Sequence, residues 1–219
     1  SLLVSDDETL RKVLAEGERP VAVHAEDEPR NTERKKLISA NPHPVEHPFL
    51  RDAESARLAT SRLIALAEQT GRPVHILHIS TLDELPLIKA AKDRGLRVTA
   101  EVTPQHLYFH APECYEKLGS YAQMNPPIRS KEHQEAIWKA LESGLFDVFG
   151  SDHAPHTVEE KGRPYPASPS GMPGVQTILP VLLTFVNQGR LDLPTVVRMT
   201  SENPARLYGI KNKGHLAVG

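Results

Sequence analysis

Phe149-Gly150-Ser151-Asp152-His153-Ala154-Pro155-His156 gathers one carboxylate and two imidazoles within five residues. Apolar Phe146, Val148 and Phe149 precede the cluster, and a Pro/Gly/Ser-rich loop follows it. Acid and imidazole groups at the end of a buried strand are how many enzymes present metal ligands and proton carriers at a barrel mouth. An isolated Asp-His pair is more ordinarily a capped turn with surface histidines, so recurrence decides the matter. The pattern recurs. Pro20-Val21-Ala22-Val23 runs into His24, Glu26 and Asp27, and Val74-His75-Ile76-Leu77 runs into His78. Three of four strand-like runs thus end in a candidate ligand: His24, His78 and Asp152. Neutral imidazole nitrogens with a carboxylate suit zinc, with cobalt or manganese as possible substitutes.

These residues need elements to carry them. Ser5-Asp6-Asp7-Glu8 is spelled as a capping box, with Ser5 as cap, opening a helix whose stripe is Leu10, Val13 and Leu14 and which Gly17 ends. Residues 27–51 carry many charges and four prolines, which predicts an irregular excursion with His43 and His47 solvated. Asp52 to Glu68 reads as a helix with Ala56, Ala59, Leu63, Leu66 and Ala67 inward. A second capping box, Thr81 to Glu84, opens a helix running to about Arg94 and Gly95, and Leu96–Val102 is the third strand, ending at Glu101. Ser130 is placed to cap a helix carrying Ile137, Trp138 and Leu141, which leads to the strand before Asp152. Val175–Gln188 is a strongly apolar helix, Pro194 fits the first turn of the next, and Ser201 is placed to cap a last one through Leu207. His215–Gly219 reads as the start of a flanking strand.

Strand followed by helix, four times over, is the signature of a parallel sheet with crossover helices. Four such units make either a small doubly wound sheet or half of an eight-fold barrel. The absence of Gly-x-Gly-x-x-Gly and Walker loops weakens the nucleotide-binding sheets. The 219 residues carry a net charge of -2, which offers no electrostatic case for nucleic acid or an anionic membrane. No apolar run approaches the roughly 20 residues of a membrane span. The single Cys114 excludes an internal disulfide framework and fits a cytoplasmic location.

Val23-His24-Ala25-Glu26-Asp27, His75-Ile76-Leu77-His78-Ile79-Ser80-Thr81, Glu101-Val102-Thr103-Pro104, Met124-Asn125-Pro126-Pro127-Ile128-Arg129 and Ser151-Asp152-His153-Ala154-Pro155-His156 follow one another in an order that resembles the dihydroorotases. Glu159-Glu160-Lys161 and Pro173-Gly174 also fit. The resemblance covers nearly the whole chain and extends to the wider cyclic amidohydrolases. It implies the α/β fold of a (β/α)₈ TIM-type barrel, here its C-terminal half over residues 1–214, with the flanking β-segment beginning at 215–219. It implies one or two zinc ions at the rim, His24 and His78 binding one, and Asp152 binding the other while shuttling the proton. It assigns Asn125 and His156 to the substrate carboxylate, the backbone of Ser170 and Gly171 to the ring, and Glu101 and His106 to support of the site. The implied reaction is reversible hydrolysis of dihydroorotate to N-carbamoyl-L-aspartate in pyrimidine synthesis. The implied partners are a small-molecule substrate, a second copy in a homodimer and possible contact with an aspartate transcarbamoylase.

One departure stands out. That family carries an early His-x-His with an arginine, and a bridging lysine or aspartate, and no match precedes His24. Asp6 and Asp7 are better explained by capping. The expectation is therefore a piece of a longer protein, inactive by itself. Two other readings stand beside it: another cyclic amidase, such as a hydantoinase or allantoinase, and a non-catalytic scaffold.

Overall fold

The computed structural model describes residues 6–218. Its centre is a four-stranded, wholly parallel sheet in the order β1-β2-β3-β4, with β1 at Val21–Val23, β2 at Val74–Ile76, β3 at Val98–Val102 and β4 at Val148–Phe149. Sequential order with parallel pairing forces every connection to cross over the sheet, and helices make those crossings. Because all strands run the same way, their carboxyl ends share one rim. His24, His78, Glu101 and Asp152 follow or end strands on that rim.

The main crossover is α4, Ala53–Thr70. Asp52 caps it by accepting from the Ser55 amide, and Gly71 closes it at φ 67°, a left-handed conformation that costs glycine little. Its inward residues Ala56, Ala59, Leu63, Leu66 and Ala67 are all buried, and Leu63 and Leu66 join one core with Val74, Ile76, Ile88 and Val98. Truncating Leu63 to Ala there costs about 2–5 kcal/mol. α5, Leu85–Asp93, crosses to β3; after the short α6, Pro104–Tyr108, and α7, Glu113–Leu118, α8, Lys131–Glu142, crosses to β4 and buries Ile137, Trp138 and Leu141 as the apolar pattern demands. Glu84 reaches back to the Thr81 amide at 3.1 Å, as the second capping box requires, although regular helix begins only at Leu85.

Several local expectations are corrected. Residues 27–51 are not irregular: they hold α2, Glu28–Lys35, a short 3₁₀ turn at Pro44–Glu46, and α3, His47–Leu50. The signals were present, since Asp27 accepts from the Arg30 amide and Pro29, Pro44 and Pro48 sit in first turns, where the missing N–H is harmless. The first helix, α1 at Asp7–Ala15, is capped by Asp6, which accepts from the Thr9 amide at 2.7 Å; Ser5 lies outside the described residues. α10, Ile178–Asn187, is shorter than predicted, because residues 175–177 form a turn. No break stands at Ser201: α11, Leu193–Val197, runs through a π-turn at Arg198–Glu202 into α12, Asn203–Leu207. Residues 215–218 are not paired as a strand, and Gly219 lies outside the described residues.

Candidate functional site

Two imidazoles meet at the rim. His24 follows β1 and His78 follows β2, and β1 pairs with β2 so that Val23 stands opposite Ile76. The rings cross edge to face, and His24 Nδ1 lies 3.0 Å from His78 Nε2. The other nitrogen of His24, Nε2, is 3.0 Å from the Glu26 carboxylate. Glu26 is gripped in turn by Arg51, whose Nη2 donates to Oε2 at 2.5 Å and whose Nε donates to both oxygens. Burial pushes the Glu26 carboxyl up, but the His24 ring and the Arg51 guanidinium outweigh it and hold the group well below the usual carboxylate range. An ionised Glu26 accepting from His24 Nε2 leaves Nδ1 as the lone-pair nitrogen that faces His78. Burial, with the nearby His24 and His106, pulls the His78 imidazole down to about 3, so it stands neutral.

Glu101 organises the adjoining strand ends. Its Oε1 accepts from the backbone N–H of His78 at 3.1 Å, and its Oε2 lies 3.2 Å from His75 Nε2. His75 is fully buried and also meets Thr99 Oγ1 at 2.9 Å, so it packs under the site. The space Glu101 fills is the space a side chain at residue 150 would need. A Cβ on Gly150 would lie 2.4 Å from Glu101 Oε1, so only glycine lets the carboxylate reach across from β3. His78 and Asp152 both have positive φ, 37° and 42°, an uncommon conformation outside glycine that recurs at functional sites. Burial and the Glu101 charge raise the Asp152 carboxyl to about 6.

The other side of the site is built from loops. His47 in α3 is buried and sits 2.9 Å from Asn125 Oδ1 and 3.0 Å from the Met124 carbonyl. His106 holds the next residue of that segment through the Pro126 carbonyl, at 3.2 Å. Ser170 is the meeting point: its carbonyl accepts from His156 Nε2 at 3.1 Å, and its hydroxyl accepts from Gln123 Nε2 at 3.0 Å. Gly171 has φ 147°, and a Cβ there would lie 2.4 Å from the Ala154 carbonyl and 3.0 Å from the His156 ring. Lys161, at the end of α9 (Val158–Lys161), is buried and donates to three backbone carbonyls, those of Gln123, Pro169 and Gly171. Burial lowers its ammonium from the usual lysine range. Asn125, Ser170, His47 and Arg51 line one cavity of about 550 Å³.

The residues singled out from sequence therefore fall into two groups. His24 and His78 are in contact, and Asp152, beyond the end of β4 on the same rim, senses Glu101 and His24. Asn125, His156, Ser170 and Gly171 gather around the 168–171 loop. His153 stands apart from both, with its Nδ1 accepting from the amides of Gly174 and Val175. As a metal site the first group fits in donor chemistry: two imidazoles bring nitrogens 3.0 Å apart, near the about 3.3 Å that tetrahedral ligands at about 2.0–2.1 Å would span. Among the described residues no three or more His, Cys, Asp or Glu form a complete metal cluster. Sequence reasoning missed His47, Lys161 and the Arg51–Glu26 pair. The sequence pattern places His47 in solvent, but it is enclosed by Tyr165, Met124 and Asn125, which are 77–118 residues away in the chain.

The Amidohydrolase family model matches residues 4–219. A dihydroorotase of Methanosphaera stadtmanae is 36% identical over 210 residues, covering 94% of this chain and 48% of that protein. A dihydroorotase of Halobacterium salinarum is 38% identical over 200 residues, covering 91% and 45%. Among solved structures, dihydropyrimidinase from Brevibacillus agri NCHU1002 superposes with a TM-score of 0.92 at 32% identity, over 100% of this chain and 50% of that one. L-Hydantoinase from Arthrobacter aurescens superposes with a TM-score of 0.89 at 32% identity, covering 98% and 49%. The chain thus spans about half the length of the curated relatives it matches.

Proposed function

The chain belongs to the amidohydrolase family, and we propose that it forms half of the catalytic barrel of a dihydroorotase. The reaction is the reversible opening of dihydroorotate to N-carbamoyl-L-aspartate, a step of pyrimidine synthesis. The observation that carries the catalytic half of this reading is the 3.0 Å approach of His24 Nδ1 to His78 Nε2, with Asp152 beyond the end of β4 on the same rim. The choice of substrate is supported by the curated relatives named dihydroorotase, which match over nearly the whole chain.

In this reading His24 and His78 would hold one zinc ion, and Asp152 would contribute to a second. When bound, the metal supplies Lewis acidity toward the ring amide and an acidified water. The chain's own residues do the rest. Glu26, clamped by Arg51, keeps His24 in the tautomer whose Nδ1 is a ligand. Asp152 takes the proton of the attacking water at its carboxylate and delivers it to the leaving ring nitrogen. Asn125 and His156, with the backbone of Ser170 and Gly171, orient the substrate through its carboxylate and ring, and such positioning lowers a barrier by several kcal/mol. Assembly as a homodimer, and contact with an aspartate transcarbamoylase, belong to the same proposal; size-exclusion chromatography checks the first and co-purification the second.

A second reading, a cyclic amidase of another specificity, is favoured by the likeness to the solved dihydropyrimidinase and L-hydantoinase. The complete reading frame that contains these residues, loaded with zinc, separates the two. We expect turnover of dihydroorotate and little of hydantoin or dihydrouracil; a preference for the neutral rings overturns the dihydroorotase reading. Zinc binding without turnover of any ring would favour the scaffold instead.

A further inference from the structure

We infer that His47 is a positioning residue that locks the Asn125 side-chain amide with its NH₂ end free for the substrate, so that this wall of the site selects an acceptor group such as a carboxylate. The argument begins with a backbone carbonyl. The Met124 oxygen can only accept, and it lies 3.0 Å from His47 Nε2, so Nε2 carries the hydrogen. The same Nε2 faces the Asn125 side chain at 2.9 Å. An N–H cannot face an NH₂ group at that distance favourably, so the Asn125 atom beside it is the oxygen. The orientation of the amide, ordinarily a matter of assignment, is here dictated by a neighbour whose polarity is not in question.

The remaining contacts agree. With Nε2 protonated, Nδ1 is an acceptor, and the Tyr165 hydroxyl lies 3.4 Å from it. Burial draws the His47 imidazole down to about 4, so the ring stays neutral and this tautomer persists near neutrality. Among the described residues the Asn125 NH₂ has no protein hydrogen-bond partner, while Asn125 and His47 line the same cavity of about 550 Å³. An amide held by its oxygen offers only donors, and a donor wall disfavours a substrate that brings donors of its own. His47 touches no reacting atom, so its effect runs entirely through Asn125.

The substrate part of this inference rests on the dihydroorotase reading, and the test keeps the two apart. Ring-nitrogen NMR of the isotope-labelled complete protein reports the His47 tautomer directly; protonation at Nε2 is expected, and protonation at Nδ1 overturns the inference whatever the substrate. In kinetics, His47→Phe keeps the ring volume and removes the donor. KM for dihydroorotate should rise about tenfold, the worth of a hydrogen bond of about 1.4 kcal/mol, with kcat within about threefold. His47→Gln, which keeps a donor, should recover most of the loss. A loss confined to kcat, or an unchanged KM in His47→Phe, sinks the positioning role. If the wild type acts only on neutral rings, the dihydroorotase reading falls, and the tautomer still decides whether His47 holds Asn125.

Discussion

The two halves of the site are built by opposite means. On the strand-end side, charge organises the residues: Arg51 holds Glu26, Glu26 turns His24, and Glu101 spans β2, β3 and β4. On the loop side, neutral or lone cationic donors do the work, and their acceptors are mostly backbone carbonyls. The difference follows from what each part must hold. Strands arrive already aligned by the sheet, so the rim needs only the setting of tautomers and ring angles. Loops have no ladder, and their carbonyls must find donors elsewhere once buried. Lys161 supplies three such bonds from one atom.

This contrast can be broken by substitution. The largest effect belongs to the chemistry itself: Asp152→Asn in the complete protein should lower kcat about a thousandfold while leaving the melting temperature nearly unchanged. Lys161→Met should show the reverse emphasis. Removing the ammonium leaves the Pro169 and Gly171 carbonyls without their donor and the Gln123 carbonyl with only the Gly171 amide, so chemical denaturation should report a loss of about 3 kcal/mol. Zinc content per folded protein should stay the same, and a loss of zinc would show that the two sides are not independent. Glu26→Gln perturbs the rim alone, because it weakens the orientation of His24. Zinc affinity measured by competition with a chelator should fall about 10–100-fold, together with a loss of stability from the Arg51 charge left without its partner.

The smallest effect sharpens the loop side. His47 ionises at about 4 in the fold against the ordinary 6.5. Between those values the unfolded chain binds a proton that the folded one refuses, so stability is full above about 6.5 and is lost as the pH falls toward about 4. Burial dominates that depression, the Arg51 charge adds to it, and Asn125, the Met124 carbonyl and Glu26 oppose it. Denaturation midpoints at about pH 7 and about pH 5 should differ less in His47→Phe than in the wild type, and an equal difference would refute the assignment.

How much of this could be read in advance depends on the same contrast. His24, His78 and Asp152 were legible because each ends an apolar run, and parallel strands bring such ends to one rim without further information. The helix Ala53–Thr70 was legible from its apolar stripe, which placed it at Asp52 to Glu68, while the role of Asp52 as its cap went unread. His47 was not, because two neighbouring prolines suggested loop, whereas Pro44 and Pro48 open helical turns. Its enclosure comes from Met124, Asn125 and Tyr165, and no local pattern announces contacts at that range. Lys161 was hidden for another reason: a lysine in the last turn of a charged helix is ordinarily solvated. Only the tertiary fold lays three carbonyls around it.

The close fit between Glu101 and Gly150 reaches beyond a single structure. A methyl group at residue 150 would occupy the place of the Glu101 carboxylate, so the two positions share one volume between neighbouring strands. Across descendants of this chain they should drift as a pair, with a larger residue at 150 admitted only where 101 has shortened. Such a swap would surrender the acceptor that steadies the His78 amide. Lineages that make the exchange should therefore be those in which His78 no longer needs to be held, which turns a steric coincidence into a record of when the rim was released from its task.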